Sequence, residues 1–271
     1  MLNRAHLLLL CSMAGCGNNQ TAVGGDGAAA RLDCLPDLDG RIEAREAAPG
    51  FGVAARYAVG QGRSVDLAGR VDAAGRRSWD FTAPPADPVA ALTARRLTDQ
   101  WYAASFPTAG FAAPLDLGGA LDGIYSHDER ALWLHGYASS APSPPEGRTL
   151  VVYAQPVALL RFPLEVGARW SATGEVPASA GTVRGLPWVG RDSYAIEVDG
   201  AGRLLLPEVT FTQVLRVRTS VTVTPAAGPA LMRRQVGFLF ECFGEVARAT
   251  SRDGEAAADF TTAAELRRLT F

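Results

Sequence analysis

The chain has 271 residues, of which 48% are hydrophobic and 20% charged, a balance typical of a folded protein rather than a disordered one. The formal net charge of −2 gives no support for a nucleic-acid partner, because nucleic-acid binding usually requires a strongly basic face. All 26 basic residues are arginines, which excludes phosphate-loop, Schiff-base and Ser-Lys chemistry. We therefore predict no cofactor and no nucleic-acid partner.

Residues 1–15 are predicted to form a bacterial signal peptide. Arg4 precedes the apolar run Leu7–Cys11, which is much shorter than the ~20 residues that a membrane-spanning helix needs. The segment Ser12–Cys16 resembles the lipobox of exported bacterial lipoproteins, in which small residues occupy the two positions before a cysteine. The resemblance implies that Cys16 becomes the mature N-terminus and carries the lipid. The alternative is an ordinary cleaved signal peptide in which this cysteine is incidental.

Residues 16–31 are predicted to be a flexible tether between the lipid and the folded domain. The segment is rich in glycine and small polar residues, and the residues after Cys16 would span about 20 Å on average. Gly17 stands where an aspartate would mark retention in the inner membrane, so the resemblance implies the outer membrane. We expect a protein of the bacterial cell envelope, with the membrane as its partner through Cys16 and an envelope protein or a lipid as a further partner.

The mature chain keeps two other cysteines, Cys34 and Cys242. An even pair in an oxidising compartment favours a disulfide. Such a bridge would pin the start of the domain to its C-terminal part, and the entropy of closing so long a loop allows up to about 5 kcal/mol of stabilisation. The alternative is two unconnected buried thiols. Neither arrangement is a redox motif, because no C-x-x-C is present.

The clearest secondary-structure signal lies in the segment Val209–Ser251, which predicts two long strands and a shorter third. Between Val209 and Thr224, apolar and polar residues alternate with a period of two, as in a half-buried antiparallel strand. The residues predicted to share one face are Val209, Phe211, Leu215, Val217, Val221 and Val223.

The rest of the domain, residues 32–271, carries about a dozen short strand patterns separated by Gly- and Pro-rich turns. Gln100–Phe106 is predicted to be a strand, Asp199-Gly200 a tight turn, and the end of the chain a short helix or a last strand. We predict an all-β fold with little helix, built of large antiparallel sheets as a sandwich or a partly closed barrel. Two Pro-rich breaks could separate a lobe of residues 32–110 from one of residues 120–271.

Leu121–Ser126 and Arg130–Ala138 are predicted to form a β-hairpin, whose expected register places Asp122 opposite His135. This pair has the composition of an oriented base, but a structural polar pair is the favoured interpretation. His127 and His135 would lie about 16 Å apart at ~3.3 Å per residue, too far to share a metal ion. We therefore predict no catalytic residue and no metal site, and no particular residue is assigned to ligand binding.

Two groups of acidic residues are predicted to belong to turns. Asp37, Asp39 and Glu43 are calcium-type ligands, but the glycine among them comes too early for an EF-hand loop, and the turn interpretation is favoured. Glu241 and Glu245 flank a bend after a strand, where solvated acids are favoured over a catalytic role.

Three segments carry a resemblance to uncharacterised exported bacterial β-proteins. They are Val198–Pro207, with the pattern DG-x-G-x-L-x-x-P, Val214–Val217, which contains LRV, and Phe243–Arg248, which contains GEVAR. The family is exported and lipoprotein-like, and it has no established activity to carry over. The resemblance thus implies a location and an all-β fold, and it implies no site.

Three functional hypotheses follow. The first is a membrane-anchored envelope lipoprotein whose β-domain binds a partner or plays a structural role without catalysis. The second is a carrier of lipids or lipoproteins, in which a curved sheet and tryptophans enclose an apolar cavity of a few hundred cubic ångströms. The third is a hydrolase of cell-wall glycan, which requires two inward carboxylates ~5–9.5 Å apart in a groove.

Overall fold

A computed structural model describes residues 34–83, 87–116 and 118–271. The predicted signal peptide, residues 1–15, and the whole predicted tether, residues 16–31 with Cys16, lie outside these residues. Within them, helix is limited to three short 3₁₀ segments, Ala44–Ala47, Leu97–Asp99 and Ala103–Ser105. No helix in the described part of the chain is long and apolar enough to cross a membrane.

The larger of two sheets has ten strands, numbered here in chain order. Its pairing is antiparallel except between β3 and β13, which run parallel. The strand order is β2 (Arg70–Val71), β3 (Arg77–Asp80), β13 (Gly190–Leu205), β14 (Thr210–Pro225), β15 (Leu231–Phe240), β16 (Gly244–Thr250), β17 (Thr262–Leu269), β1 (Ala54–Ser64) and β4 (Val89–Thr93), and β10 (Arg169–Val176) also pairs with β13.

The second sheet has seven strands. In order they are β12 (Leu186–Pro187), β11 (Gly181–Val183), β9 (Leu150–Arg161), β8 (Ala131–Ser139), β7 (Leu121–His127), β6 (Phe111–Pro114) and β5 (Arg95–Arg96). The two sheets pack as a sandwich and do not form a closed barrel, so the prediction of an all-β fold with large antiparallel sheets is confirmed.

The first core lies between the two sheets. Leu134 of β8 and Leu159 of β9 pack there with Val198 of β13 and Val217 of β14, and all four side chains are buried. Burying apolar side chains of this size contributes ~1.5–3 kcal/mol each, which is the main force holding the sheets together.

The second core lies on the opposite face of the ten-stranded sheet. Trp79 of β3 and Phe81, which directly follows β3, pack over β15, where their rings meet the ring of Phe238 at centroid distances of 5.0 Å and 5.4 Å. The Trp79 indole N–H donates a hydrogen bond to the Leu67 carbonyl at 2.9 Å, so the one polar atom of this buried side chain is satisfied. Trp79 is thus a core residue.

The predicted three-strand meander is confirmed as β14, β15 and β16, but its register carries a shift that the alternation did not predict. Phe211 packs in the second core, whereas Leu215, Val217 and Val221 pack in the first. The reason is an irregularity in the β13–β14 ladder between Gly202 and Leu204, which moves later residues of β14 to the other face.

Other local predictions differ from the structure. Asp199-Gly200 is not a turn, because both residues lie inside the sixteen-residue strand β13, next to a register shift between Val198 and Gly200. Gln100–Phe106 is not a strand and contains a 3₁₀ segment instead. At the end of the chain, where a short helix or a last strand was predicted, the strand is confirmed as β17.

Strands of the two predicted lobes, residues 32–110 and 120–271, pair with each other. β1 pairs with β17 at one edge region, and β3 pairs with β13 near the other. The ten-stranded sheet therefore joins parts of the two predicted lobes.

A disulfide joins Cys34 to Cys242 with a Cα–Cα distance of 5.6 Å, as predicted. It ties the first described residue to the bend between β15 and β16. The Cys242 backbone N–H also donates a hydrogen bond to the Glu46 carbonyl at 2.9 Å. The N-terminal segment is thus fixed against the ten-stranded sheet by one covalent bond and by backbone pairing.

Candidate functional site

An open groove of about 550 Å³ lies on the ten-stranded sheet, on the face turned away from the seven-stranded sheet. Arg218 and Ser220 of β14 line it, and they alternate along that strand with Val217 and Val221 of the first core. Since successive side chains of a strand point to opposite faces, the groove and the first core lie on opposite sides of the sheet. Its volume is within the range of small-molecule sites.

The floor of the groove is a row of small side chains across three strands. Ser171 of β10 pairs with Ala195 of β13, which pairs with Ser220 of β14, and Ser220 pairs with Arg234 of β15. Directly paired residues share a face, so these four side chains stand in line. Because three of them are small, the row is recessed between its neighbours.

One wall of the groove is held by ion pairs. The Asp199 carboxylate accepts two hydrogen bonds from Arg216, at 2.7 Å and 2.8 Å, and also contacts Arg218. Arg218 in turn donates to Asp259 at 2.6 Å, and Arg169 donates to Glu197 at 2.9 Å. Bidentate arginine–carboxylate pairs fix both partners in orientation, so this wall is preorganised.

Arg234 lies at the other end of the row and, unlike the arginines of the wall, is held by a backbone carbonyl rather than by a carboxylate. Its Nε donates to the backbone carbonyl of Glu255 at 3.0 Å, while the Glu255 carboxylate accepts the Ala257 backbone N–H at 2.8 Å. Among the residues that the structure describes, none forms a salt bridge with Arg234. Its two Nη atoms therefore form a fork of donors at the groove.

Behind the groove, on the first-core face, the same sheet carries a cluster of buried polar side chains. Glu245 and Arg248 of β16 lie beside Arg267 and Glu265 of β17, and Arg267 donates to Glu265 at 2.6 Å. Burial raises the pKa of Glu245 and lowers the pKa of Arg267, because the interior disfavours both charged forms. The cluster is enclosed, so it offers no entry to a ligand from the groove.

Gln235 of β15 lies next to this cluster and is 1% exposed. Neither its amide oxygen nor its amide nitrogen has a hydrogen-bond partner among the described residues, and the same is true of the hydroxyls of its ladder neighbours Thr219 and Thr250. Leaving a buried polar group unpaired costs about 1–3 kcal/mol. This row is therefore costly to stability.

A second buried polar group lies nearer the edge of the sheet. Asp192 of β13 is 0% exposed, and its Oδ2 accepts a hydrogen bond of 2.5 Å from the Tyr153 hydroxyl, which also lies 3.1 Å from the Tyr194 hydroxyl. Burial raises the pKa of Asp192 to about 7, and the hydrogen bond from Tyr153 lowers it by a smaller amount.

The predicted pairing of Asp122 with His135 is wrong. Next to the turn, His127 already pairs with Leu132, two residues away from the expected register, and a further shift between Ile124 and Tyr125 places Asp122 opposite Ala138. The Asp122 carboxylate instead accepts hydrogen bonds of 2.6 Å from Tyr102 and from Arg95.

His135 has a different partner, since its Nε2 lies 2.8 Å from the Ser126 hydroxyl. Its Nδ1 lies 3.5 Å from the Thr108 hydroxyl, so no carboxylate orients the ring as in a Ser-His-acid triad. Burial lowers the pKa of His135. This Ser-His contact is separate from the groove, and strand patterns alone did not reveal it because it depends on the shift in the hairpin.

The acidic residues near the N-terminus meet a partner that is distant in sequence. Asp37 and Asp39 lie in the predicted turn, and their carboxylates come together with that of Glu241 rather than Glu43. Asp37 accepts a backbone N–H of the same turn, and Glu241 accepts the Leu38 N–H at 2.7 Å. Burial raises the pKa of Glu241, with smaller contributions from the charges of Glu46 and Asp37.

Glu241 and Glu245 are both 2% exposed, so the prediction that they are solvated acids of a turn is wrong. Each is covered by a part of the chain that lies far away in sequence. Glu241 is covered by the disulfide-linked N-terminal segment, and Glu245 by its neighbours on β17 and by the opposite sheet. The bend itself gives no sign of this burial.

No family model, curated protein or solved structure matches this chain. The candidate site therefore rests on its geometry alone.

Proposed function

We propose that the protein is a lipid-anchored component of the bacterial cell envelope whose β-domain binds a partner molecule in the groove and catalyses no reaction. The anchor is inferred from the lipobox-like segment Ser12–Cys16, and membership in an exported lipoprotein-like family from the segments described above. The observation that carries the binding function is the groove itself. It combines a recessed floor, a wall fixed by ion pairs and an arginine fork that pairs with no carboxylate of the described residues.

The arrangement of charges favours binding over catalysis. A general acid needs a carboxyl group that can hold and release a proton near the substrate. The two carboxylates that line the groove, Glu197 and Asp199, are instead engaged by arginines. This does not support the glycan-hydrolase hypothesis, in which one of a pair of acids must be protonated.

The carrier hypothesis receives less support than the binding hypothesis. A lipid carrier needs an apolar cavity that shields acyl chains from water. The groove is open, and arginines and carboxylates form its walls. Trp170 contributes its indole N–H to a hydrogen bond of 2.9 Å with Ala158 of the opposite sheet, so this tryptophan helps to join the sheets.

Native mass spectrometry of the full-length protein, purified from bacterial membranes in mild detergent, tests the proposal. A groove-filling variant, Ser220→Trp, is compared with the wild type and with Thr224→Trp, which places the same side chain on the same strand face outside the groove. We expect the wild type and Thr224→Trp to retain a bound molecule that Ser220→Trp loses. A bare protein in all three cases, or turnover of cell-wall glycan by the wild type, contradicts the proposal.

A further inference from the structure

We infer that the groove binds a hydroxyl-rich, saccharide-like ligand that carries one anionic oxygen group, a carboxylate or a phosphate, and that the Arg234 fork holds this group. The inference rests on the proposed binding function and specifies its ligand.

The arginines around the groove are not all paired with carboxylates. Arg216 and Arg218 are matched by Asp199 and Asp259, and Arg169 is matched by Glu197. Among the described residues, Arg234 is thus the arginine of this group that takes part in no ion pair, and the nearby Glu255 carboxylate accepts the Ala257 backbone N–H instead. One negative charge on a ligand would complete the set, whereas a polyanion such as nucleic acid would meet the carboxylates of the wall.

The geometry of Arg234 selects the kind of anion. Its Nε is already used by the Glu255 carbonyl, which fixes the plane of the guanidinium group. The remaining donors are the two Nη atoms, which match two oxygens of one carboxylate or phosphate in a bidentate contact. A halide or an isolated hydroxyl would use only part of this fork.

The floor indicates what is attached to the anionic group. Ser220 lies directly opposite Arg234 in the ladder, and Ser171 lies two strands further along the same row. Strands are spaced ~4.8 Å apart, so the row is about 14 Å long from β15 to β10. Serine hydroxyls can both donate and accept, which suits the hydroxyl groups of a ligand longer than a single small anion.

A protein partner is a weaker fit to the same surface. The centres of protein–protein interfaces are usually anchored by large aromatic side chains that enter pockets. Here the side chains of the floor are serine and alanine, and the surface is recessed. A bound polypeptide is therefore an outcome that would overturn the inference.

Isothermal titration calorimetry on the mature lipoprotein in detergent micelles provides the test. The probes are the disaccharide of N-acetylglucosamine and N-acetylmuramic acid, which carries a carboxylate, then glucose 1-phosphate and inorganic phosphate, and the neutral N,N′-diacetylchitobiose. We expect one of the two anionic saccharides to bind more tightly than chitobiose and than inorganic phosphate. The preference between the two saccharides identifies the anionic group.

Two groove variants and a matched control accompany the titration. Arg234→Ala is expected to weaken binding of the anionic saccharide by about tenfold or more, because a charge-assisted hydrogen bond is lost. Arg191→Ala removes an exposed arginine of β13 that lies outside the groove, and it should change the affinity by less than about twofold. Ser220→Asp places a carboxylate opposite Arg234 and should abolish binding, which keeps the test decisive if Arg234→Ala folds poorly.

The outcomes separate this inference from the proposed function. Equal binding of chitobiose and the acidic disaccharide, with unchanged affinity in Arg234→Ala, overturns the anionic ligand and leaves groove binding intact. If no probe binds but native mass spectrometry finds a molecule that Ser220→Trp excludes, the anionic saccharide is likewise overturned and groove binding is left intact. Failure of all the probes together with an empty groove in every variant overturns both.

Discussion

Replacing Asp192 by asparagine is expected to remove a large pH dependence from the stability of the sandwich. Asp192 is fully buried, and its pKa is about 7 in the folded protein, compared with an ordinary value of 3.8. At a pH between these two pKa values, Asp192 has lost its proton in the unfolded chain but keeps it in the folded protein. Because the folded state then binds more protons, the free energy of unfolding of the wild type falls as the pH rises through this range.

The size of the effect follows from the two pKa values. Their difference corresponds to about 4 kcal/mol, which is lost between about pH 4 and about pH 7 and stays lost above that. Asp192→Asn keeps the shape of the side chain and does not ionise. Its stability relative to the wild type should therefore rise by about 4 kcal/mol over the same range. The hydrogen bond from the Tyr153 hydroxyl can be kept, because the asparagine carbonyl also accepts.

Urea denaturation of both proteins at about pH 5 and about pH 8, followed by tryptophan fluorescence, covers the upper part of this range and should show about 3 kcal/mol of the change. Glu175→Gln is the control, since Glu175 is an exposed carboxylate on the neighbouring strand β10 and should shift the curve by less than about 0.5 kcal/mol. Other buried acids titrate in both proteins and cancel in the comparison. The reasoning is refuted if the stability difference between Asp192→Asn and the wild type is the same at the two pH values.

Three further changes test other parts of the structure. Cys16→Ser should abolish incorporation of radiolabelled palmitate in a bacterial host while Cys11→Ser leaves it unchanged, and continued labelling of Cys16→Ser would contradict the anchor. Cys34→Ala should lower the free energy of unfolding by about 2–5 kcal/mol in urea titrations, because the cross-link to Cys242 closes a long loop. Reducing agent should then have no further effect on this variant, and a wild type insensitive to reduction would contradict the bridge. Gln235→Met should raise the free energy of unfolding by about 1 kcal/mol, since it replaces two unpaired buried polar atoms with an apolar side chain of similar length. A loss of stability would instead mean that the amide is satisfied in solution.

The strands could be predicted because alternation is a local signal, and the disulfide because it follows from the number of cysteines. Alternation in β14 and β15 indicates extended strands even though both faces are buried along part of each strand, and the two cysteines that follow the predicted lipidation site leave one natural pairing. These signals do not depend on which strand pairs with which. They therefore survive errors in register.

The sites were not predictable because each depends on a register shift or on a distant contact. His135 meets Ser126 rather than Asp122 because the β7–β8 ladder starts two residues away from the expected register at the turn and shifts by one more residue between Ile124 and Tyr125. A slip of one residue reverses the face on which every later side chain lies, and nothing in the local alternation marks it. Glu241 is likewise buried only because the disulfide-linked N-terminal segment is placed against it.

A β-bulge at Asp199 connects the wall of the groove to the second core. Val198 pairs with Val217 and Gly200 with Arg216, so Asp199 is the extra residue of a β-bulge. Freed from the ladder, its carboxylate reaches both Arg216 and Arg218.

Arg216 connects that carboxylate to the second core. Its guanidinium group lies over the Trp79 ring, 5.3 Å from the ring centroid, and it also donates to the Leu67 carbonyl. Arg218, on the other side of Asp199, faces the groove. The bulge thus holds the groove wall in a fixed position relative to the buried Trp79. Removing the Asp199 carboxylate would leave the buried Arg216 with only its longer contact to Asp259, at 3.6 Å, so a change at this position would disturb the second core and the groove together.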